Sequence, residues 1–298
     1  MGTLNWPDEM ACAASRDEPR FVHAGSNVCL DFHGDPSRAR LVVFSDGNHH
    51  MALRETLHAF IEKFPAVEDI FYTTTPPSVA LKMLRAGRLD IGNLRLSVVP
   101  HVFISPSSVL DQLVAEGRMH GNRPFMRSLG VVLLVRKGNP KNITGLADLR
   151  RKDVKLFLSN PLTEKVSYQI YTDCLHRMAM HDGTVLDFLA HPPGQPDPEK
   201  LMYGEAIHHR EAPQAIADGR ADVALVFYHL ALRYQRIFPE LFDFVWPSGS
   251  LGEQACDISH FNCGLIGDGG EWGKQLMAFL MSDEVTEIYS SHGLERAG

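Results

Sequence analysis

Short unbroken apolar runs alternate along this chain with stretches in which apolar residues recur three and four positions apart. Leu41 to Phe44 is a run of strand length, and Ser45, Asp46, Gly47 and Asn48 after it are turn and helix-capping residues. Leu53, Leu57, Phe60, Ile61 and Phe64 then share one helical stripe, which Pro65 ends. Asp69 to Thr73 reads as a second strand, Thr74 to Pro77 as a turn, and Ser78 to Ala86 as a helix closed by Gly87. The rhythm is β-α-β-α.

The same grammar returns further on. Ala86-Gly87-Arg88-Leu89-Asp90 precedes the strand-like Ile91 to Leu94, and Asp218-Gly219-Arg220-Ala221-Asp222 precedes Val223 to Tyr228. Each reads as a helix closed by glycine, a short turn, then a strand. Val131 to Val135 and Val154 to Ser159 are further strands between them. Near the end, Trp272, Leu276, Phe279 and Leu280 fall at helical spacing, and Ser282-Asp283-Glu284 opens a last helix through Ile288. Two α/β lobes built alike are expected, with residues 1–38 as an irregular extension. The closing helices are expected to pack on the first lobe.

Composition narrows the function. The chain has 298 residues, 44% hydrophobic and 22% charged, which is ordinary for a globular protein. A formal net charge of −7 provides no basic field for phosphate backbones, so no nucleic-acid partner is expected. No apolar run nears the roughly 20 residues of a membrane span, so none is expected. Five cysteines carry no CxxC or zinc spacing. Cys256 and Cys263 could bridge in an oxidising compartment or stay reduced. The unusual count is 15 histidines.

Leu134-Val135-Arg136-Lys137-Gly138-Asn139-Pro140-Lys141-Asn142-Ile143-Thr144-Gly145-Leu146-Ala147-Asp148-Leu149 resembles the segment by which type II periplasmic solute-binding proteins of ABC importers enter their second lobe. Ala278 to Glu284, Tyr289 and His292-Gly293-Leu294 are similar to their closing helix pair. Within that group, Val42 to Leu53, Ser78-Val79-Ala80 and Arg210 to Tyr228 look most like the molybdate and tungstate binders. The resemblance implies a two-lobed α/β fold, each lobe a mixed sheet flanked by helices, with a hinge of two crossing strands. Lobe I would be 39–129 plus 245–298 and lobe II 130–244, with a small oxyanion held between them. It also implies an ABC permease as partner, a monomer and no cofactor. The location would be periplasmic or extracellular if a signal sequence precedes the chain, and cytoplasmic otherwise.

Such an anion is held at helix N-termini, where backbone N–H groups lack internal partners and the helix dipole is positive. The turns Ser45–His50, Thr73–Ser78, Ser159–Thr163 and His208–Ala212 carry suitable neutral donors. The candidate ligand-binding residues are Ser45, Asn48, His49, Thr75, Ser78, Asn160, Thr163, Arg210, Glu211 and Tyr228. By the resemblance, Ser78 matches a family serine, Glu211 a carboxylate of the tungstate binders, and Tyr228 or Phe227 a family tyrosine. Pro76 and Pro77 remove two backbone donors from their turn. The pairs His49-His50 and His208-His209, with His229, depart from the pattern. They open a second reading, a metal or metal-chelate binder using His49, His208 and Glu211, against the plainer one in which these histidines cap helices or sit in solvent. GxSxG, Walker A, HExxH and strand-borne GxGxxG motifs are all missing, so no enzyme is expected. A cytoplasmic sensor or enzyme domain on the same fold is the third reading.

Overall fold

The computed structural model describes Leu4 and residues 32–91, 94–190, 199–205, 208–247 and 259–298. The chain forms two compact units. The outer one takes the described residues of Asp8–Arg127 and Ser259–Gly298; the inserted one takes those of Ser128–Ile258, with Leu4. Each is a mixed sheet flanked by helices, the α/β architecture expected from the alternating pattern.

In order, the outer unit contributes β1 (Phe32–His33), β2 (Leu41–Ser45), α1 (His50–Lys63), β3 (Ile70–Thr74), α2 (Pro77–Ala86), β4 (Leu89–Ile91), β5 (Leu94–Leu96), β6 (Val102–Ser105), α3 (Ser107–Ala115) and β7 (Met119–Ser128). The inserted unit follows with β8 (Val131–Arg136), β9 (Leu156–Leu158), α4 (Lys165–Asp182), β10 (Leu201–Tyr203), α5 (His208–Asp218), β11 (Val223–Phe227), α6 (Tyr228–Ile237) and β12 (Phe242–Val245). The chain then returns to the outer unit as β13 (His260–Ile266), α7 (Gly270–Leu280), α8 (Asp283–Ser291) and β14 (Leu294–Arg296).

The outer sheet runs β1-β3-β2-β6-β13-β7-β14, with β3, β2 and β6 mutually parallel. Both of its faces are covered, and strand alternation sorts them. Leu41, Val43, Ile70, Tyr72, Val102 and Ile104 pack against α1, α7 and α8, while Val42, Phe44, Phe71 and Phe103 pack against α2 and α3. This double burial explains why these strands read as unbroken apolar runs. The inserted sheet runs β10-β9-β11-β8-β12, with β10, β9 and β11 parallel. Its interior strand β8 is equally unbroken in sequence.

Three expectations need correction. Phe32–His33 is not irregular: it pairs antiparallel with β3, where the His33 ring stacks on Tyr72 at 4.4 Å. Ile91 to Leu94 is not one strand, because β4 and β5 pair as a small antiparallel sheet of their own. The two Gly-closed turns therefore lead to different places, one to this two-stranded sheet and the other to β11 inside a larger one. Tyr228 is not in a strand but is the first residue of α6. Gly87 does close α2, with φ 66° in the left-handed region. Cys263 is a free, buried thiol rather than half of a bridge to Cys256, which lies outside the described residues. Cys174, on α4, is disulfide-bonded.

Candidate functional site

In open α/β sheets, ligands collect beyond the carboxyl ends of parallel strands. In the outer unit, Ser45 at the end of β2 is in register with Thr74 on β3 and Ile104 on β6. The next row is therefore Thr75 and Asp46, just past β3 and β2, with Ser105 as the last residue of β6. Two backbone bonds hold it: Thr75 N–H donates to Ser45 O at 3.1 Å, and Asp46 N–H to Ile104 O at 3.3 Å. All three side chains are buried. Among the described residues, Thr75 Oγ1 and Ser105 Oγ have no hydrogen-bond partner, nor has Thr73 Oγ1 two positions earlier. A buried hydroxyl without a partner costs about 1–3 kcal/mol, so several together call for an explanation.

Asp46 sits centrally in this row. Its Oδ1 accepts the Asn48 N–H at 3.2 Å and lies 3.8 Å from His49 Nε2. Burial pushes its carboxyl from 3.8 up to about 7, and the Asn48 N–H pulls it back only in part. His49, the residue just before α1, is fully buried. Its Nε2 meets Ser45 Oγ at 2.9 Å and its Nδ1 meets Tyr289 Oη at 2.8 Å, with the Phe261 ring 4.4 Å away. Both ring nitrogens are thus used inside the protein, which leaves no lone pair for a metal ion. His50 Nδ1 caps the same turn on Gly47 O at 2.7 Å. Ser45 and His49 stand at the separation of a nucleophile and its base, but both are sealed in the core and Ser45 Oγ also donates to Asp46 O.

The helix starts beside this row are polar. Ser78 is exposed in the first turn of α2, where Pro76 O takes the Val79 and Ala80 N–H groups. α3 begins at Ser107 behind Pro106, so Ile104-Ser105-Pro106-Ser107-Ser108 repeats the strand-to-helix grammar of the other turns. Sequence reasoning missed Ser105, although a short apolar run followed by Ser and Pro was the available signal.

The inserted unit has a corresponding edge. Ser159, just past β9, is fully buried and its Oγ has no partner among the described residues. Asn160 Nδ2 donates to Gly204 O at 2.8 Å and Oδ1 accepts from Leu162 N–H at 2.9 Å, so this side chain shapes its own loop. Thr163 is exposed and donates to Glu205 O at 3.3 Å. Glu211 Oε2 accepts the Glu205 N–H at 2.6 Å, and a Cβ at Gly204 would stand 2.6 Å from that oxygen, so a larger residue there would push the carboxylate aside. Glu164 Oε2 accepts the His208 N–H at 2.9 Å, and burial, helped by the Glu211 charge, pushes Glu164 from 4.5 up to about 7. His208 is buried beside Tyr171 and Phe157, its Nε2 unpartnered among the described residues, and burial pushes it down to about 3. Arg210 is exposed on α5. Tyr228, half-buried, packs its ring on Phe244 and Trp246. Pro213 lies inside α5 and cannot donate to His209 O, and the Tyr234 hydroxyl fills that vacancy.

No group of three or more His, Cys, Asp or Glu side chains gathers as a metal site among the described residues. Nor, among them, is any helix long and apolar enough to cross a membrane.

The titrations have a testable sign. The folded pKa of Asp46 is raised, so between about pH 4 and pH 7 the folded chain holds more protons than the unfolded one, and stability falls as pH rises through that window. Glu164 acts in the same sense, whereas the lowered pKa of His208 makes stability rise between about pH 3 and pH 6.5. The clean readout is a difference. The stability of Asp46→Asn relative to wild type should climb from about pH 4 to pH 7 and level off above, as measured by urea unfolding; a flat difference contradicts this account of Asp46.

A family model described as bacterial extracellular solute-binding protein matches residues 41–295. The chain belongs to that family. Solved structures place the solute-binding protein among proteins of diverse cargo. The substrate-binding domain of a molybdenum ABC transporter from Clostridium difficile is 13% identical with a TM-score of 0.63, covering 87% of this chain and 99% of the other. The sulfate-binding protein SubI from Mycobacterium tuberculosis H37Rv is 15% identical with a TM-score of 0.58, covering 86% of each chain. A ferric binding protein from Campylobacter jejuni is 14% identical with a TM-score of 0.54, covering 85% of each. These likenesses show a shared two-lobed periplasmic binding protein fold and leave the solute open. No curated protein matches the chain.

Proposed function

We propose that this solute-binding protein captures a small oxyanion, in the size class of molybdate, tungstate and sulfate, and delivers it to an ABC permease outside the cytoplasm. The observation that carries the reading is the row of buried, unpartnered hydroxyls at Thr75 and Ser105, with Ser159 at the corresponding edge of the inserted unit. Neutral hydroxyls at the carboxyl ends of parallel strands donate to oxygen without adding charge, and rigid strands fix where they point. Ser45, Asn48 and Ser78 belong to the same turns of the outer unit; Asn160, Thr163, Arg210, Glu211 and Tyr228 line those of the inserted one. Two of the neighbouring proteins are titled for molybdenum transport and for sulfate binding. The protein's work is capture and release, without a chemical step. The metal reading is not favoured, because both ring nitrogens of His49 are bonded within its own unit.

Thermal unfolding against a panel of molybdate, tungstate, sulfate, phosphate and arsenate tests this. A ligand that binds only the folded protein stabilises it by about 2.7 kcal/mol at a hundred times its Kd, so at least one anion should raise the melting temperature clearly. No shift with any of them would sink the reading.

A further inference from the structure

The outer unit has a second concavity, toward the opposite end of its strands from Ser45. β13 runs antiparallel to β6, so its later residues lie toward the amino ends of β6 and β2: Leu265 stands opposite Val102, and Gly267 lies beyond it. There the ladder between β13 and β7 slips after Gly264, where a Cβ would come within 2.5 Å of Met119 Sδ and 2.9 Å of Gly121 O. Beside this irregularity, β7, β13 and α7 line a cavity of about 510 Å³, within the range of roughly 300–1,000 Å³ that small-molecule sites occupy. Its floor is apolar, made by Cys263, Leu265 and Met277, and burial pushes the Cys263 thiol up to about 12, so it is neutral there. Its rim is polar. Arg123 is the register partner of Cys263, so the two side chains share one face of the sheet. Arg123 is exposed and makes no ion pair among the described residues. Lys274 on α7 stands 3.7 Å from Asp268, which offsets its charge, and His120 is exposed at the same rim. The cavity thus sets one unmatched guanidinium over an apolar floor.

We propose that this cavity is a second binding site of the outer unit, for a small organic anion that joins a carboxylate to an apolar tail. The carboxylate sits on Arg123, whose planar fork matches two oxygens at once, and the tail covers Cys263, Leu265 and Met277. An inorganic anion would leave that floor uncovered, and a neutral apolar molecule would leave the guanidinium unmatched. The site uses none of Ser45, Thr75 and Ser105, so it stands independently of the oxyanion reading.

Methyl spectra of the protein labelled with carbon-13 at its methionine methyls, titrated with hexanoate near neutral pH, decide it. The Met277 methyl, assigned with Met277→Leu, should shift saturably, while that of Met178 in the inserted unit stays in place. At Met277, hexanoate should bind about 5-fold tighter or more than hexanol, hexylamine or sulfate, the size expected of a favourable ion pair near the surface. Arg123→Gln should remove the advantage of hexanoate over hexanol and leave hexanol binding as it was. A Met277 methyl that ignores hexanoate overturns the proposal. So does an equal affinity for hexanol, hexylamine or sulfate, or an unchanged hexanoate affinity in Arg123→Gln. Each of these outcomes leaves the oxyanion reading standing, since the melting panel tests that separately. The comparison of the four probes on the wild-type protein decides the matter even if the variant fails to fold.

Discussion

Thr75→Val and Ser105→Ala should each make the ligand-free protein more stable while weakening its hold on the solute. Both hydroxyls are fully buried and lack partners among the described residues, so the folded state bears their desolvation without a compensating bond. Thr75→Val keeps the side chain's shape, and the Thr75 backbone bond to Ser45 O does not involve the side chain. Removing the hydroxyl should return about 1 kcal/mol, or roughly 2–4 °C in melting temperature for a unit of this size. A hydrogen bond to a charged group contributes about 1.5–3 kcal/mol, so loss of either hydroxyl should weaken oxyanion binding by about 10-fold or more. Melting curves with and without the anion panel read both effects. The opposition of signs is the diagnostic result: a hydroxyl with a purely structural role would lose stability on removal. Lower stability with unchanged binding would remove Thr75 and Ser105 from the site.

His49→Ala should have the largest effect on stability, about 3–5 kcal/mol. The substitution empties a fully buried ring site beside Phe261 and strips partners from two buried hydroxyls, Ser45 Oγ and Tyr289 Oη. It also cuts the link from the β2–α1 turn to α8. Tyr289→Phe, which removes one of those bonds and keeps the ring, should cost about 1–3 kcal/mol by leaving His49 Nδ1 unpaired. Urea unfolding of the two variants tests the account. A His49→Ala protein as stable as the wild type, with altered metal content instead, would restore the metal reading. A histidine that looks like a ligand in the sequence is thus a keystone of the outer core in the fold.

The legible parts of this protein share one property: the local pattern and the tertiary environment ask for the same residues. Leu41–Phe44 and Val131–Val135 are unbroken apolar runs because their strands are buried along their length, so the run alone located β2 and β8. The stripe ended by Pro65, the Gly87 cap and the Ser282 cap marked α1, α2 and α8 in the same way; Ser282 Oγ accepts the Val285 N–H at 3.4 Å. Together with the segment Leu134–Leu149, these are enough to assign two α/β lobes of the solute-binding type.

Tertiary structure decided how the polar residues at the strand ends are buried and bonded. A serine, an aspartate and a histidine after a strand are good helix-start residues in any chain, and spacing cannot say which of them faces the core. Register can. It set Thr75, Asp46 and Ser105, which are remote in sequence, in one row, while packing of α1 and α8 turned His49 inward onto Ser45 and Tyr289. Whether a hydroxyl has a partner depends on neighbours tens to hundreds of residues away, as with His49 and Tyr289. The sequence by itself determined the fold class and the turns where a ligand could be met. Only the packed structure decided which side chains at those turns are satisfied and which still lack a partner, because hydrogen-bond satisfaction is a property of the assembled interior.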